Sequence, residues 1–184
     1  MPHKNQTYFD LLKILHLMVV VVSVTICVML TVFRIPALEL LGIHPNWLLI
    51  WLIAWSLQKT AWEAAIAGFI VAGIYDGIAL ATPSHSLAFI VVGVLTSRLQ
   101  KQKYIGEDFI SIALIVFFMT LMSEAIFALQ YSHFYQLAWA EVLPKYQEII
   151  IVSATITSLW SPIFYYPFSL CQRRIKQLER KVLR

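Results

Sequence analysis

Four polar residues in or beside the apolar part of the sequence are candidates for chemistry. Asp76 and Glu124 each lie inside a long apolar run, His85 precedes a shorter run, and Ser153 lies near the start of the last one. A carboxylate at the centre of a membrane helix costs roughly 2.5–3.5 kcal/mol on insertion scales, so each acid must be shielded, neutralised or partnered. Such groups could handle a proton or a cation, or form the floor of a solute pocket. Alternatively, they are buried polar groups that bond to one another and fix the register of the helices.

The sequence carries none of the common catalytic or cofactor-binding patterns. It has no HExxH pattern for zinc and no GxSxG pattern for a serine nucleophile, and its six glycines are scattered rather than grouped in a phosphate-binding loop. The histidines and the two cysteines are not in metal-ligand spacing. A membrane aspartyl protease needs two intramembrane aspartates, and only Asp76 is so placed. We therefore expect a protein that is not an enzyme and that has no metal or cofactor.

The elements that position these residues follow from the composition. Of the 184 residues, 60% are hydrophobic and 13% are charged, whereas about a quarter of the residues in a soluble domain are charged. The composition predicts an all-α polytopic membrane protein that forms one domain over residues 1–184. The net charge of +4 does not indicate nucleic-acid binding, because the basic residues follow the membrane topology.

Six apolar segments are candidates for membrane spans, each of which needs about 20 apolar residues. Four are long enough, and two are short and could be half-spans, interfacial helices or spans with polar ends. The long segments are 14–33, 61–81, 109–129 and 149–170, and the short ones are 47–57 and 86–99.

The distribution of basic residues favours counting both short segments as spans. With six spans and a cytoplasmic N-terminus, the outer segments hold only Arg34 and Lys145, and the other Lys and Arg residues face the cytoplasm, as the positive-inside rule requires. Leaving out one short span would put basic clusters on opposite sides. We therefore predict six spans with both termini cytoplasmic.

The C-terminal segment 171–184 is predicted to be a basic amphipathic helix on the cytoplasmic side. It would either anchor the chain to anionic lipid at the membrane surface or contact a cytoplasmic partner. Its basic residues are Arg173, Arg174, Lys176, Arg180, Lys181 and Arg184.

The segment 61–81 has a face of small residues. Ala64, Gly68 and Ala72 are spaced by four, and small side chains let helix backbones approach closely in a membrane. Asp76 lies at the edge of this face, which predicts that it points into protein. Ile70 and Val71 lie on the opposite face, which is expected to meet lipid.

The depths of the polar residues predict that they meet. Asp76 and Glu124 each lie roughly 22 Å from the inner end of their spans, at 1.5 Å per residue. Ser153 lies near the outer start of its span, and His85 opens the short span 86–99 from the outer side. We therefore expect a buried polar cluster in the outer half of the bundle, formed by Asp76, His85, Glu124 and Ser153.

The order of the motifs over about residues 32–100 resembles the rod shape-determining protein MreD family. A proline, Pro36, follows the first span, and "GIHPNWLLIWLIAWSL" places Pro45 and Asn46 before a short apolar helix. The glycine-rich "AAIAGFIVAGIYDGI" carries Asp76 near its end, and "TPSHSLAFIVVGVL" carries His85 just before the next span. Asn46 stands where the family usually has aspartate, and "PSHS" replaces a Gly-x-His-Ala form.

The resemblance implies a fold, a location and partners. The implied fold is a six-helix bundle similar to the substrate-binding S-components of energy-coupling-factor transporters. The implied function is that of a non-catalytic scaffold in the bacterial plasma (inner) membrane, which helps to organise side-wall peptidoglycan synthesis. The implied partners are an MreC-like bitopic protein, the MreB filament, and RodA with its transpeptidase. The fold similarity supplies the alternative, an S-component-like subunit that captures a small solute such as a vitamin.

Overall fold

The computed structural model describes residues 2–33, 35–99 and 109–182, and this part of the chain is all-helical. It contains six α-helices and one short 3-10 helix, and no strand. The α-helices are α1 (Pro2–Phe33), α2 (Trp47–Ser56), α3 (Ala61–Ala79), α4 (Ser86–Leu99), α5 (Phe109–Phe134) and α6 (Trp139–Val182).

Four of the helices, α1, α3, α5 and α6, contain stretches that are long and apolar enough to cross a membrane. The chain is therefore a candidate membrane protein by structure as well as by composition. The other two helices are shorter. With 10 and 14 residues, α2 and α4 are about 15 and 21 Å long, less than the roughly 30 Å of a bilayer's hydrocarbon core.

Three helices extend beyond the apolar segments that predicted them. α1 begins at Pro2, α5 continues to Phe134, and α6 begins at Trp139 and runs unbroken to Val182. Hydropathy marks the part of a helix that meets lipid, whereas polar residues with good helix propensity continue the helix into water. The segment after residue 170 is therefore part of α6 and not a separate helix.

The basic residues of that C-terminal segment are described in part. Arg174 is exposed on α6. Arg184 lies outside the described residues, and so do the side chains of four others: Arg173, Lys176, Arg180 and Lys181.

The short helix α2 lies at the centre of the bundle. It packs against all five other α-helices, and its residues from Trp47 to Ala54 are buried. The remaining helices surround it in the order α1, α6, α5, α4, α3, with the largest interfaces between α5 and α6 and between α3 and α4. In the described residues a groove separates α3 from α1, so the ring is open on that side.

The Pro45–Asn46 step starts α2 and attaches it to α6. The Asn46 side chain accepts a hydrogen bond from the Leu49 N–H at 3.0 Å, which caps the helix. The Asn46 backbone N–H donates to the Thr157 hydroxyl at 3.1 Å. Asn46 is buried, and its role in this fold needs an amide or carboxylate oxygen but no charge.

The small face of α3 packs against the backbone of α4. A Cβ added to Gly68 would lie 2.6 Å from the carbonyl oxygen of Phe89, and one added to Gly93 would lie 2.7 Å from that of Ala64. Ala64 and Ala72 are fully buried in the same interface region. These distances leave no room for a side chain, so α3 and α4 touch through their backbones.

The expectation that Val71 faces lipid is wrong. Val71 is only 2% exposed and belongs to the core cluster that includes the residues of α2. Its neighbour Ile70 is 55% exposed. The helix buries two faces, one against α4 and one against the central α2, so only a narrower face remains for lipid.

Two glycines of α3 provide a matched test of this packing. Gly68→Ala should destabilise the protein by about 1–3 kcal/mol, because a methyl group must push the α4 backbone away. Gly73→Ala has no atom within 4 Å of the new Cβ and should be neutral or stabilising by about 0.5–1 kcal/mol, from helix propensity. Thermal unfolding in detergent measures both. Equal midpoints for the two variants would contradict the close contact.

Candidate functional site

The four predicted polar residues form two hydrogen-bonded pairs. Asp76 near the end of α3 bonds to His85 just before α4, and the Ser153 hydroxyl on α6 donates to Glu124 Oε1 on α5 at 3.1 Å. Among the described residues no hydrogen bond joins one pair to the other. They are linked by Phe127, which lies one turn after Glu124 and stacks on the His85 ring with centroids 3.9 Å apart.

The Asp76 carboxylate connects the last turn of α3 to the first residues of α4. His85 Nδ1 lies 2.6 Å from Oδ1, and the His85 backbone N–H lies 3.0–3.1 Å from the two oxygens. The Ser84 hydroxyl donates to Oδ2 at 2.6 Å. Three donor groups thus meet one carboxylate, which answers how an acid is accommodated at the end of an apolar helix.

The His85 ring is enclosed by aromatic side chains. Phe127 stacks on one face, and Tyr75 contacts the ring edge-on at a centroid distance of 4.8 Å. His85 lies in the connection between α3 and α4, outside both helices, and burial lowers its pKa while its hydrogen bond with Asp76 opposes that shift. A neutral His85 with its proton on Nδ1 would donate to the Asp76 carboxylate.

Two serines complete this connection, and the sequence pattern did not single them out. Besides bonding to Asp76, Ser84 lies 2.7 Å from the Ser86 hydroxyl and accepts a bond from the Ser86 N–H at 3.1 Å. The signal was present in "PSHS", because Ser before a helix commonly bonds the free N–H groups of its first turn. The Tyr135 hydroxyl, 3.1 Å from that of Thr82, ties the same connection to the end of α5.

The second pair lies between α5 and α6. Ser153 is 4% exposed, and Thr157 and Ser161 follow it at four-residue spacing and are fully buried. Thr157 accepts the bond from Asn46, and the Ser161 hydroxyl donates to the Ser158 carbonyl of its own helix. The polar face of α6 therefore bonds to α2, to α5 and to itself.

The arrangement determines what these groups can do chemically. Asp76 and Glu124 both bond to groups of the protein, and within the described residues no group of three or more His, Cys, Asp or Glu side chains could hold a metal ion. The Asp76 cluster fastens α3 to α4 and, through the His85 ring, to α5. The observed geometry of this cluster therefore holds the helices together.

Substitutions at Asp76 distinguish a role in holding the helices together from a requirement for negative charge. Asp76→Leu should cost about 1–3 kcal/mol, because it removes the acceptor of the Ser84 hydroxyl and leaves the half-buried donors of His85 without a partner. Asp76→Asn keeps one acceptor oxygen and should cost less. Thermal unfolding in detergent measures both, with Glu39→Gln as a control at a carboxylate outside the cluster. If Asn is as damaging as Leu, the negative charge itself is required.

No protein-family model matches this chain, and no curated protein and no solved structure is significantly similar to it. Its function is therefore inferred from the motifs of its own sequence and from the contacts described above.

Proposed function

We propose that the protein is a non-catalytic membrane scaffold subunit of the bacterial cell-shape machinery. In this role it sits in the plasma membrane and helps to organise side-wall peptidoglycan synthesis through an MreC-like bitopic partner. The MreB filament and the RodA–transpeptidase pair belong to the same assembly. The proposal starts from the resemblance of residues 32–100 to the MreD family.

One observation supports the proposal most directly: the residues on which the resemblance rests make contacts between helices. Asn46 caps α2 and bonds to Thr157 on α6, and Asp76 holds His85 at the start of α4. Side chains that make such contacts fix the helices relative to one another and are not available to react with a substrate. A protein that acts by presenting a shaped surface to partners needs that property.

The alternative, solute capture, has less support. It would use polar groups in the outer half of the bundle to hold a vitamin-sized ligand. The two carboxylates there, Asp76 and Glu124, are instead bonded to Ser84, His85 and Ser153.

We further infer that all six helices cross the membrane, with both termini cytoplasmic. Most of α2 and one face of α4 are buried among the other helices, and backbone at membrane depth is tolerated where protein covers it. Lys59, before α3, and Arg98, at the end of α4, line one cavity, which supports their assignment to the same side. Antiparallel packing of α3 and α4 requires that.

Cysteine labelling tests this topology. Cysteines placed at Lys59 and at the C-terminus, in a chain without Cys27 and Cys171, should be protected from an impermeant reagent in intact cells and labelled after permeabilisation. A cysteine at the exposed Leu137, between α5 and α6, should be labelled in intact cells. Labelling of the C-terminus from outside would overturn the six-span arrangement.

Crosslinked pull-down from native membranes tests the scaffold. The tagged protein should retain a bitopic protein with a large outer domain, and depletion of the protein should turn rod-shaped cells round. A fully folded Gly73→Ala variant should retain the same partner. Co-purification of a small solute without such a partner would instead favour the solute-capture subunit.

A further inference from the structure

The open side of the helix ring forms an apolar groove. Between α1 and α3 there is a groove of about 300 Å³, whose floor is formed by Trp51 and Trp55 of α2. Val24 contributes from α1, and Ile66 and Ile70 contribute from α3. In a bilayer such a groove lies against the lipid chains.

The groove adjoins a second, polar cavity at the end of the bundle where α3 begins. This cavity, of about 680 Å³, is lined by Lys59, Thr60, Ser97 and Arg98, and Glu63 lines both it and the groove. Lys59 Nζ also lies 5.2 Å from the centroid of the Trp55 ring on the groove floor. A cavity with two cations thus lies next to an apolar groove, an arrangement that suits an amphiphile.

The charges of the polar cavity favour an anion. Lys59 and Arg98 are positive, and Glu63 is the opposing charge. Glu63 is already engaged, because it lies 3.9 Å from Lys59 and accepts bonds from the N–H and hydroxyl of Thr60 at 2.9 and 2.8 Å. In the described residues Arg98 makes no ion pair, so one cation is available to a ligand.

Trp55 of the groove lining carries a further polar group. The indole Nε1 of Trp55 is buried and has no hydrogen-bond partner among the described residues. A buried indole N–H usually has an acceptor. The ester carbonyls of a glycerolipid lie between its head group and its chains, which is where Trp55 lies between the polar cavity and the groove.

We propose that this is a binding site for one anionic phospholipid, with its phosphate head group in the Lys59–Arg98 cavity and an acyl chain along the α1–α2–α3 groove. The site is separate from the basic residues at the end of α6. A transmembrane helix fits the groove less well, because a 30 Å cylinder about 10 Å wide occupies roughly 2,400 Å³. An acyl chain moves from one apolar medium to another, so the groove supplies shape and the cations supply selectivity.

Lipid retention measured by native mass spectrometry tests the head-group half. The full chain is purified with phosphatidylglycerol and phosphatidylcholine of identical chains. We expect phosphatidylglycerol to be retained about fivefold better, since a Lys or Arg near an anionic surface contributes about that factor. The preference should be lost in the Lys59→Gln/Arg98→Gln double variant and kept in Arg174→Gln. Equal retention of the two lipids, or equal losses in the two variants, overturns the proposal.

A gain of binding provides a second variant if the double substitution impairs folding. Glu63→Gln removes the opposing charge but keeps an oxygen that can accept from Thr60, so the start of α3 is preserved. It should raise the preference for phosphatidylglycerol. No change in a folded Glu63→Gln protein, checked by gel filtration and thermal unfolding, counts against the site.

Filling the groove tests whether it holds the acyl chain, and displacement by small anions tests whether the phosphate belongs to a lipid. Ala67→Phe, in the groove lining, should lower phosphatidylglycerol retention severalfold, whereas Leu114→Phe on the exposed face of α5 should not. Millimolar inorganic phosphate or glycerol phosphate should fail to displace the lipid. Displacement by either shows that the cavity binds a free anion, and retention unaffected by Ala67→Phe shows that no acyl chain lies in the groove. Each result overturns the proposed lipid site.

Discussion

The backbone contact between α3 and α4 determines the positions of the other features. Lipid chains are as apolar as leucine, so helices in a membrane associate through close packing rather than through hydrophobicity. Here two rows of residues at four-residue spacing face each other. One row is Ala64, Gly68, Ala72 and Asp76 on α3, and the other is His85, just before α4, with Phe89 and Gly93 on α4. The row on α3 changes from small residues to a carboxylate at Asp76, in the last turn of the helix. Asp76 then reaches His85 across the connection at 2.6 Å.

Both ends of the interface between α3 and α4 are polar. At one end lie Asp76 and His85, and at the other Thr60 and Ser97 line the cavity that contains Lys59 and Arg98. In lipid an unpaired backbone or side-chain polar group costs several kcal/mol, so polar groups collect where the helices end. The middle of the interface can then consist of bare backbone contact. The short α2 is possible for the same reason, since the other five helices cover its backbone.

Sequence reasoning predicted features that depend on one helix at a time. Hydropathy located the six helices, and four-residue spacing located the small face of α3. It did not predict that Val71 is buried, because a helical wheel assumes one buried face and α3 has two. It also treated Asp76, His85, Glu124 and Ser153 as one cluster. The structure resolves them into two pairs because Phe127, whose position depends on how α5 packs, occupies the space beside His85.

The opening between α1 and α3 affects how α1 is held. α1 packs mainly against α2 and α6, and most of its apolar side chains from Ile14 to Phe33 are exposed. A lipid in the groove would contact α1, α2 and α3 at once and so close the ring. Because the acyl chain gains little by leaving the bilayer, the strength of that closure would depend on the charges of Lys59, Arg98 and Glu63. The anionic lipid content of the membrane would then act on the position of α1.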